Sequence, residues 1–311
     1  MFEAKPQNWL RQDMSEVYRY PAVAFRPDEY LRAKTVEEVV SILKKHAEEA
    51  RIVGAGITLH ELGVMGMLSG VKKLVDIQQL GLDYVEASGE VTRLGTSTPI
   101  HKIRDHDLFK REPSLRAIND AADFVPLQIV NTATIGGQIC SGLPILSLPT
   151  ALMAVDASVK CVNWEGERMI PLNNFYVDYF LTDLKPDEFV TEVQIPKQSE
   201  GASAFKYEKL SAADYPLGSV AIFISRNEGG QCQSCRVATG SLGKVPMRAR
   251  KVEESLIKSN LDGQSLTRAA DLLSKEIDPI TDLRASADYR RKLARSLFKE
   301  AAETAISRLK R

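Results

Sequence analysis

Cysteine is scarce. Four residues (Cys140, Cys161, Cys232 and Cys235) in a chain of 311 are too few and too scattered for a disulfide framework. Neither sign of charge is in excess, with 41 basic and 41 acidic residues. That balance removes the electrostatic reason to expect nucleic acid or a membrane surface as partner. No apolar run approaches the length of a membrane span. The stretch from Met1 to Pro6 lacks the basic-then-apolar pattern of a secretory signal. A six-residue Gly-x-Gly-x-x-Gly fingerprint is missing, and with it support for a doubly wound dinucleotide-binding sheet. No nucleophile elbow or Ser-His-Asp grouping is visible. These absences leave the expectation of a soluble cytoplasmic protein, long enough for two or three domains.

What is present centres on Asn131-Thr132-Ala133-Thr134-Ile135-Gly136-Gly137-Gln138. Gln128-Ile129-Val130 reads as an extended apolar lead-in. Two glycines after Thr134-Ile135 allow the positive φ angles of a tight turn and a close approach to the main chain. Bare amides in such a turn make an anion site, to which a threonine hydroxyl adds a donor. A side chain at Gly136 would then block a phosphate. By itself the motif is equally a tight turn without a ligand.

The rest of the chain reads in order. Residues 1–25 form an extension. Thr35 caps a helix with Glu37 and Glu38 in its first turn and an apolar stripe through Val36, Val39, Val40 and Leu43. Arg51 to Leu62 predicts a buried strand, the small-residue turn Gly54-Ala55-Gly56 and a helix start, a second place for amides to face phosphate. Strands follow near 71–77, 81–86 and 91–100, a helix near 114–124, an apolar helix over 148–155, and short strands to Pro196. A polar break at 197–201 separates strands near 204–210, 219–225 and 232–239, with Gly229-Gly230 as a hairpin turn. Helices near 247–259 and 287–309 finish the chain.

Several of these stretches, taken together, resemble one family: the flavin-binding medium subunits of molybdenum hydroxylases, of the carbon monoxide dehydrogenase, xanthine dehydrogenase and 4-hydroxybenzoyl-CoA reductase types. The likeness runs from about Pro27 to the C-terminus. It rests on Gly54-Ala55-Gly56, on Gln128-Ile129 with Asn131 and Thr134-Ile135-Gly136-Gly137, on Tyr207-Glu208-Lys209-Leu210 and Asp214-Tyr215-Pro216, and on Arg284 to Arg291. The resemblance implies an α+β chain: a two-subdomain PCMH/VAO-type FAD-binding module over 26–198 (subdomains about 26–82 and 83–198), then a small antiparallel sheet with helices over 202–311. It implies non-covalent FAD held by Ile52, Val53, Gly54, Ala55, Gly56, Ile57, Thr58 and Leu59, by Phe124, and by Thr134, Ile135, Gly136, Gly137 and Gln138. Ser147 stands where the family commonly has an Asp contact, Val190 would pack on the flavin ring, and Lys206 would sit near it. The chain would carry no catalytic acid or base and no metal. Molybdopterin and 2Fe-2S clusters would belong to a large and a small partner subunit in a dimer of heterotrimers. The flavin would pass electrons to NAD, a quinone or another acceptor.

Departures from the family's pattern are Ile57 for Thr or Ser, Ser147 for Asp and Val130 for Arg. They keep open a structural subunit that has lost FAD. A free-standing flavin oxidoreductase would need its own catalytic acid, and none is visible. Cys232-Gln233-Ser234-Cys235 suggests a metal or redox pair, yet residues three apart on a strand point to opposite faces. His101 and His106 beside Asp105 and Asp107 match no metal signature and read as a solvated helix face. Alternation likewise puts Lys206 and Tyr207 on opposite faces of their strand, and it keeps Lys206 and the nearby Lys209 from both facing the flavin unless a bulge intervenes.

Overall fold

The computed structural model describes residues 25–212 and 214–309, so the N-terminal extension lies almost wholly outside the described residues. Strands β1 (Glu29–Arg32), β2 (Ala50–Val53) and β3 (Lys73–Asp76) form a parallel sheet in the order β1-β3-β2. Parallel neighbours need crossovers, and the helices Val36–His46 and Ile57–Val64 provide them. The first starts where the Thr35 hydroxyl accepts the Glu38 amide and the Glu38 carboxylate accepts the Lys34 amide. Its Val39, Val40 and Leu43 are buried with Val75 and Ile77.

A second, antiparallel sheet follows. It contains β4 (Val85–Ser88), β5 (Val91–Gly95), β6 (Ser158–Asn163), β7 (Gly166–Pro171) and, after the short hairpin of β8 (Tyr176–Asp178) and β9 (Leu181–Thr182), β10 (Phe189–Pro196). Their order is β4-β5-β10-β6-β7. Between β5 and β6 the chain makes six short α-helices, from Ile100–Asp105 to Ser147–Ala154, and one 3-10 turn at Pro113–Leu115. Leu94, Ile118, Ile135, Leu148 and Val193 join these helices and the sheet in one core.

The third sheet runs β11 (Ala202–Glu208), β12 (Gly218–Arg226), β13 (Cys232–Gly240), β14 (Met247–Arg248) in sequence order. It serves two cores at once. Phe205, Ala221 and Ala238 face the helices that precede β6, whereas Ala204, Val220, Ile222 and Val237 face the helices Gly263–Glu276 and Ala287–Leu309. Side-chain alternation is what divides the two. Polar clamps hold the seam: Arg308 bonds both carboxylate oxygens of Asp120 at 2.7 and 2.9 Å, and Arg248 binds Glu253 and Asp156.

The α+β architecture is as expected, but four local readings change. Gln128-Ile129-Val130 is not extended; it lies in the short helix Leu127–Val130, begun by the Pro126 carbonyl accepting the Ile129 and Val130 amides. Thr134 opens the helix Ile135–Cys140, so Gly136 and Gly137 are helical and have no positive φ. The helix Gly263–Glu276 was not anticipated, although Asp262 caps it by accepting the Ser265 amide at 2.8 Å. The helix expected from 247 is shortened to Arg250–Leu256, because Met247–Arg248 pairs with β13 as an edge strand.

Cys232 and Cys235 need their own correction. Ser225 pairs with Ser234 and Arg226 with Cys232, which leaves Gln233 as a bulge residue. One extra residue in a strand cancels the alternation. Both cysteines therefore enter the same C-terminal core. Among the described residues no group of three or more His, Cys, Asp or Glu is placed to hold a metal.

Candidate cofactor site

The turn after β2 and the start of the helix Ile135–Cys140 meet. Gly56, at φ +76°, supplies the left-handed residue from which the helix Ile57–Val64 departs. The Gly54 carbonyl accepts the Gln78 side-chain amide at 2.7 Å, which fixes the turn. A Cβ placed on Gly54 would stand 3.0 Å from the Thr134 hydroxyl oxygen. Glycine thus lets the two loops close on each other. Among the described residues the amides of Ala55, Gly56, Ile57 and Thr58 meet no protein acceptor. Residues 54–59 are all partly exposed. Unpaired amides at the positive end of a helix are a ready site for a phosphate.

The second loop is built differently from the turn expected. Ile135 donates its amide to the Thr98 carbonyl at 3.0 Å, and Gly136 to the Thr96 carbonyl at 2.9 Å. Gly137 donates to the Thr134 hydroxyl at 3.2 Å. Its amides are therefore spent inside the protein, not bare. Gly136 serves packing: a Cβ there would overlap the Thr96 hydroxyl and stand 2.7 Å from the Thr96 carbonyl oxygen. Gly137 is exposed, and a Cβ on it would meet only the Thr134 hydroxyl, at 3.2 Å. Having accepted that bond, the Thr134 hydroxyl still has its own proton to donate.

The remaining predicted positions divide. Ile52, Ile57, Thr58 and Leu59 are partly exposed, and Val53 is buried. The side chains of Ile135 and Val190 lie in the core. Gln138 turns inward, its carbonyl accepting the Leu148 amide at 3.2 Å. Ser147 is 1% exposed and donates to the Ala121 carbonyl at 2.8 Å, so its hydroxyl is not offered to a ligand. Lys206 pairs with Val220 on the strand face that looks toward the C-terminal helices. Phe124 is met instead by Tyr207, edge-on at 4.5 Å between ring centres, and by the Lys209 ammonium, 4.5 Å from the Phe124 ring centre. In the sequence reading alternation kept Lys209 and Lys206 from serving one face together, and in the structure Lys209 lies on the Tyr207 side.

One further link crosses the site. The Tyr215 hydroxyl donates to Glu61 at 2.7 Å, tying the helix Ile57–Val64 to the C-terminal domain. Burial first, and the adjacent Glu61 carboxylate second, push the Tyr215 phenol above its ordinary value, so it remains a neutral donor.

Comparison with known proteins gives this geometry a family. Residues 23–198 match the model described as the FAD binding domain in molybdopterin dehydrogenase, more than half of the chain. Residues 203–305 match the CO dehydrogenase flavoprotein C-terminal domain. The chain belongs to this family. It is 28% identical to the 6-hydroxypseudooxynicotine dehydrogenase complex subunit alpha of Paenarthrobacter nicotinovorans, over 90% of this chain and 95% of that one. It is 27% identical to the carbon monoxide dehydrogenase medium chain of Afipia carboxidovorans, over 91% and 98%. A solved structure of reconstituted CO dehydrogenase from Oligotropha carboxidovorans superposes with a TM-score of 0.86 at 25% identity, covering 92% of this chain and 99% of that one. This chain is thus an FAD-binding subunit of the molybdenum hydroxylase family and an oxidoreductase component. The unpaired amides at the start of the helix Ile57–Val64 fit the diphosphate of that cofactor.

Proposed function

We propose that this subunit binds FAD non-covalently at the junction of its two glycine loops and serves as an electron relay. The observation that carries the reading is the row of amides from Ala55 to Thr58 that meet no acceptor among the described residues, next to Gly54, whose backbone packs closely against the Thr134 hydroxyl. Neutral backbone donors hold a diphosphate without burying a lysine. In this reading Thr134 and the exposed Gly137 would form the second wall, and Phe124, packed edge-on against Tyr207, would close the side toward the C-terminal sheet. FAD held by the Ala55 to Thr58 amides and the Thr134 hydroxyl would supply the redox chemistry, between 2Fe-2S clusters of a small subunit and an external acceptor such as NAD or a quinone. A large molybdopterin subunit would act on the organic substrate, in a dimer of heterotrimers. The module over 26–198 and the domain over 202–311 are the proposed division of labour.

The test is the absorption spectrum and flavin content of the purified protein. One FAD per chain, released by acid, supports the reading, and colourless folded protein sinks it. A second reading, a structural subunit that has lost FAD, draws on the inward-turned Ser147, and the same spectrum separates the two.

A further inference from the structure

We propose that Gln78 is a positioning residue for the cofactor: its side-chain amide sets which way the Gly54–Ala55 peptide points, and so whether the Ala55 amide is offered to a diphosphate. The inference rests on the FAD reading above and deepens it. The parallel ladder of β2 and β3 pairs Val53 with Asp76, and the Ile77 amide adds one bond more, to the Val53 carbonyl at 3.2 Å. Among the described residues no backbone group then bonds the Gly54 carbonyl or the Ala55 amide. The Gln78 side chain continues where the ladder stops, donating to the Gly54 carbonyl at 2.7 Å. Its own main chain is held in turn. The Gln78 amide bonds the Asp76 carboxylate at 2.9 Å, and that buried carboxylate also accepts the Tyr30 hydroxyl at 2.8 Å.

The Gly54–Ala55 peptide is trans. In a planar trans peptide the carbonyl of one residue and the N–H of the next point in opposite directions. Drawing the Gly54 oxygen toward Gln78 therefore aims the Ala55 N–H to the side away from Gln78. Ala55 opens the row of amides that meet no acceptor among the described residues. Glycine makes this peptide easy to turn over, because no Cβ restricts the rotation, and residues 54 and 55 are both partly exposed. Turned over, the peptide would present a carbonyl oxygen to the phosphate in place of an N–H. A diphosphate selects the form with the N–H outward, so any share of the turned form lowers the apparent affinity in proportion. Gln78, as a donor, biases the peptide toward the binding form. A carboxylate at the same place can only accept, and would favour the turned form by taking the Ala55 N–H.

The test measures FAD affinity, from the fluorescence of flavin released on diluting the full-length protein with its bound FAD, for wild type, Gln78→Leu, Gln78→Glu and Gln79→Glu. The melting temperature of each flavin-free protein is measured beside it. Gln79 is the neighbouring exposed residue, and its substitution adds the same charge without touching the Gly54 carbonyl. Gln78→Leu is expected to weaken binding about three- to tenfold, the span of one hydrogen bond. Gln78→Glu is expected to weaken it further and Gln79→Glu to weaken it less than either, with the flavin-free melting temperatures equal. Wild-type affinity in Gln78→Leu overturns the proposal. So does a Gln79→Glu loss that matches Gln78→Glu, which would mark a general charge effect. Flavin-free melting temperatures that fall in step with affinity also overturn it, as the sign of a packing role. Wild-type protein that never holds FAD would defeat the proposed function itself, a result distinct from all of these.

Discussion

Two neighbouring glycines do different jobs. A side chain at Gly136 would run into Thr96, in the turn just after β5, whereas one at Gly137 points at solvent and the Thr134 hydroxyl. Gly136→Val is therefore expected to lose folded protein, seen as a lowered melting temperature or insolubility. Gly137→Val is expected to melt near wild type yet hold less FAD, measured as flavin per chain. Equal flavin content in Gly137→Val and wild type would show that the loop does not face the cofactor. Glu188 offers a test of charge. Burial works to raise its pKa, but the Arg168 guanidinium, bonded at 2.9 and 2.7 Å, and the Lys185 amide outweigh this and hold it below the ordinary value. A carboxyl lowered on folding contributes stability above its unfolded pKa of about 4.3, and that contribution drains away as pH falls through the folded value. Glu188→Gln is expected to cost about 1–3 kcal/mol at pH 7, with the gap to wild type narrowing below about pH 4. Urea midpoints at the two pH values measure this. A gap that widens on acidification contradicts the assignment.

At the scale of elements, the C-terminal helix is joined to the rest by more than its apolar stripe. Arg308 reaches Asp120 on the helix Arg116–Asp123, and Asp120 also accepts the Phe205 amide at 3.2 Å. One carboxylate thus ties a helix of the second unit, a strand and the last helix together. Asp120→Ala leaves the Phe205 amide unpaired and the Arg308 guanidinium with the Ser203 carbonyl, at 2.6 Å, in place of a carboxylate. The expected cost is about 2 kcal/mol, below that of a fully buried pair because both partners keep some solvent. A double-mutant cycle with Arg308→Ala in thermal unfolding is expected to give a coupling well above that of a surface pair. These elements were legible where their signals are local. Thr35 with Glu38 announced the first helix, and Asp262 with Leu266, Ala269, Ala270 and Leu273 carried the same kind of signal for a helix that was overlooked. The short helix Leu127–Val130 was misread because four apolar and amide residues show no period, and the Pro126 carbonyl decided the matter.

For the whole molecule, the paired cysteines of β13 test how far a motif should be trusted. Burial and the absence of further ligands among the described residues leave them as core side chains. Cys232→Ser with Cys235→Ser is expected to lose some stability while flavin and metal content, measured by absorbance and elemental analysis, stay unchanged. A metal signal lost with them would reverse that view. The sequence by itself determined the α+β class, the antiparallel strands of the C-terminal domain and the turn at Gly54-Ala55-Gly56, since helix caps, strand alternation and turn glycines act within a few residues. It could not decide which amides stay free, because the partners of Ile135 and Gly136 lie on a segment some 40 residues earlier. Nor could it place both cysteines on one face, because strand pairing and a single bulge settle which way a side chain looks. Those outcomes belong to contacts between distant segments, and only the tertiary structure fixes them.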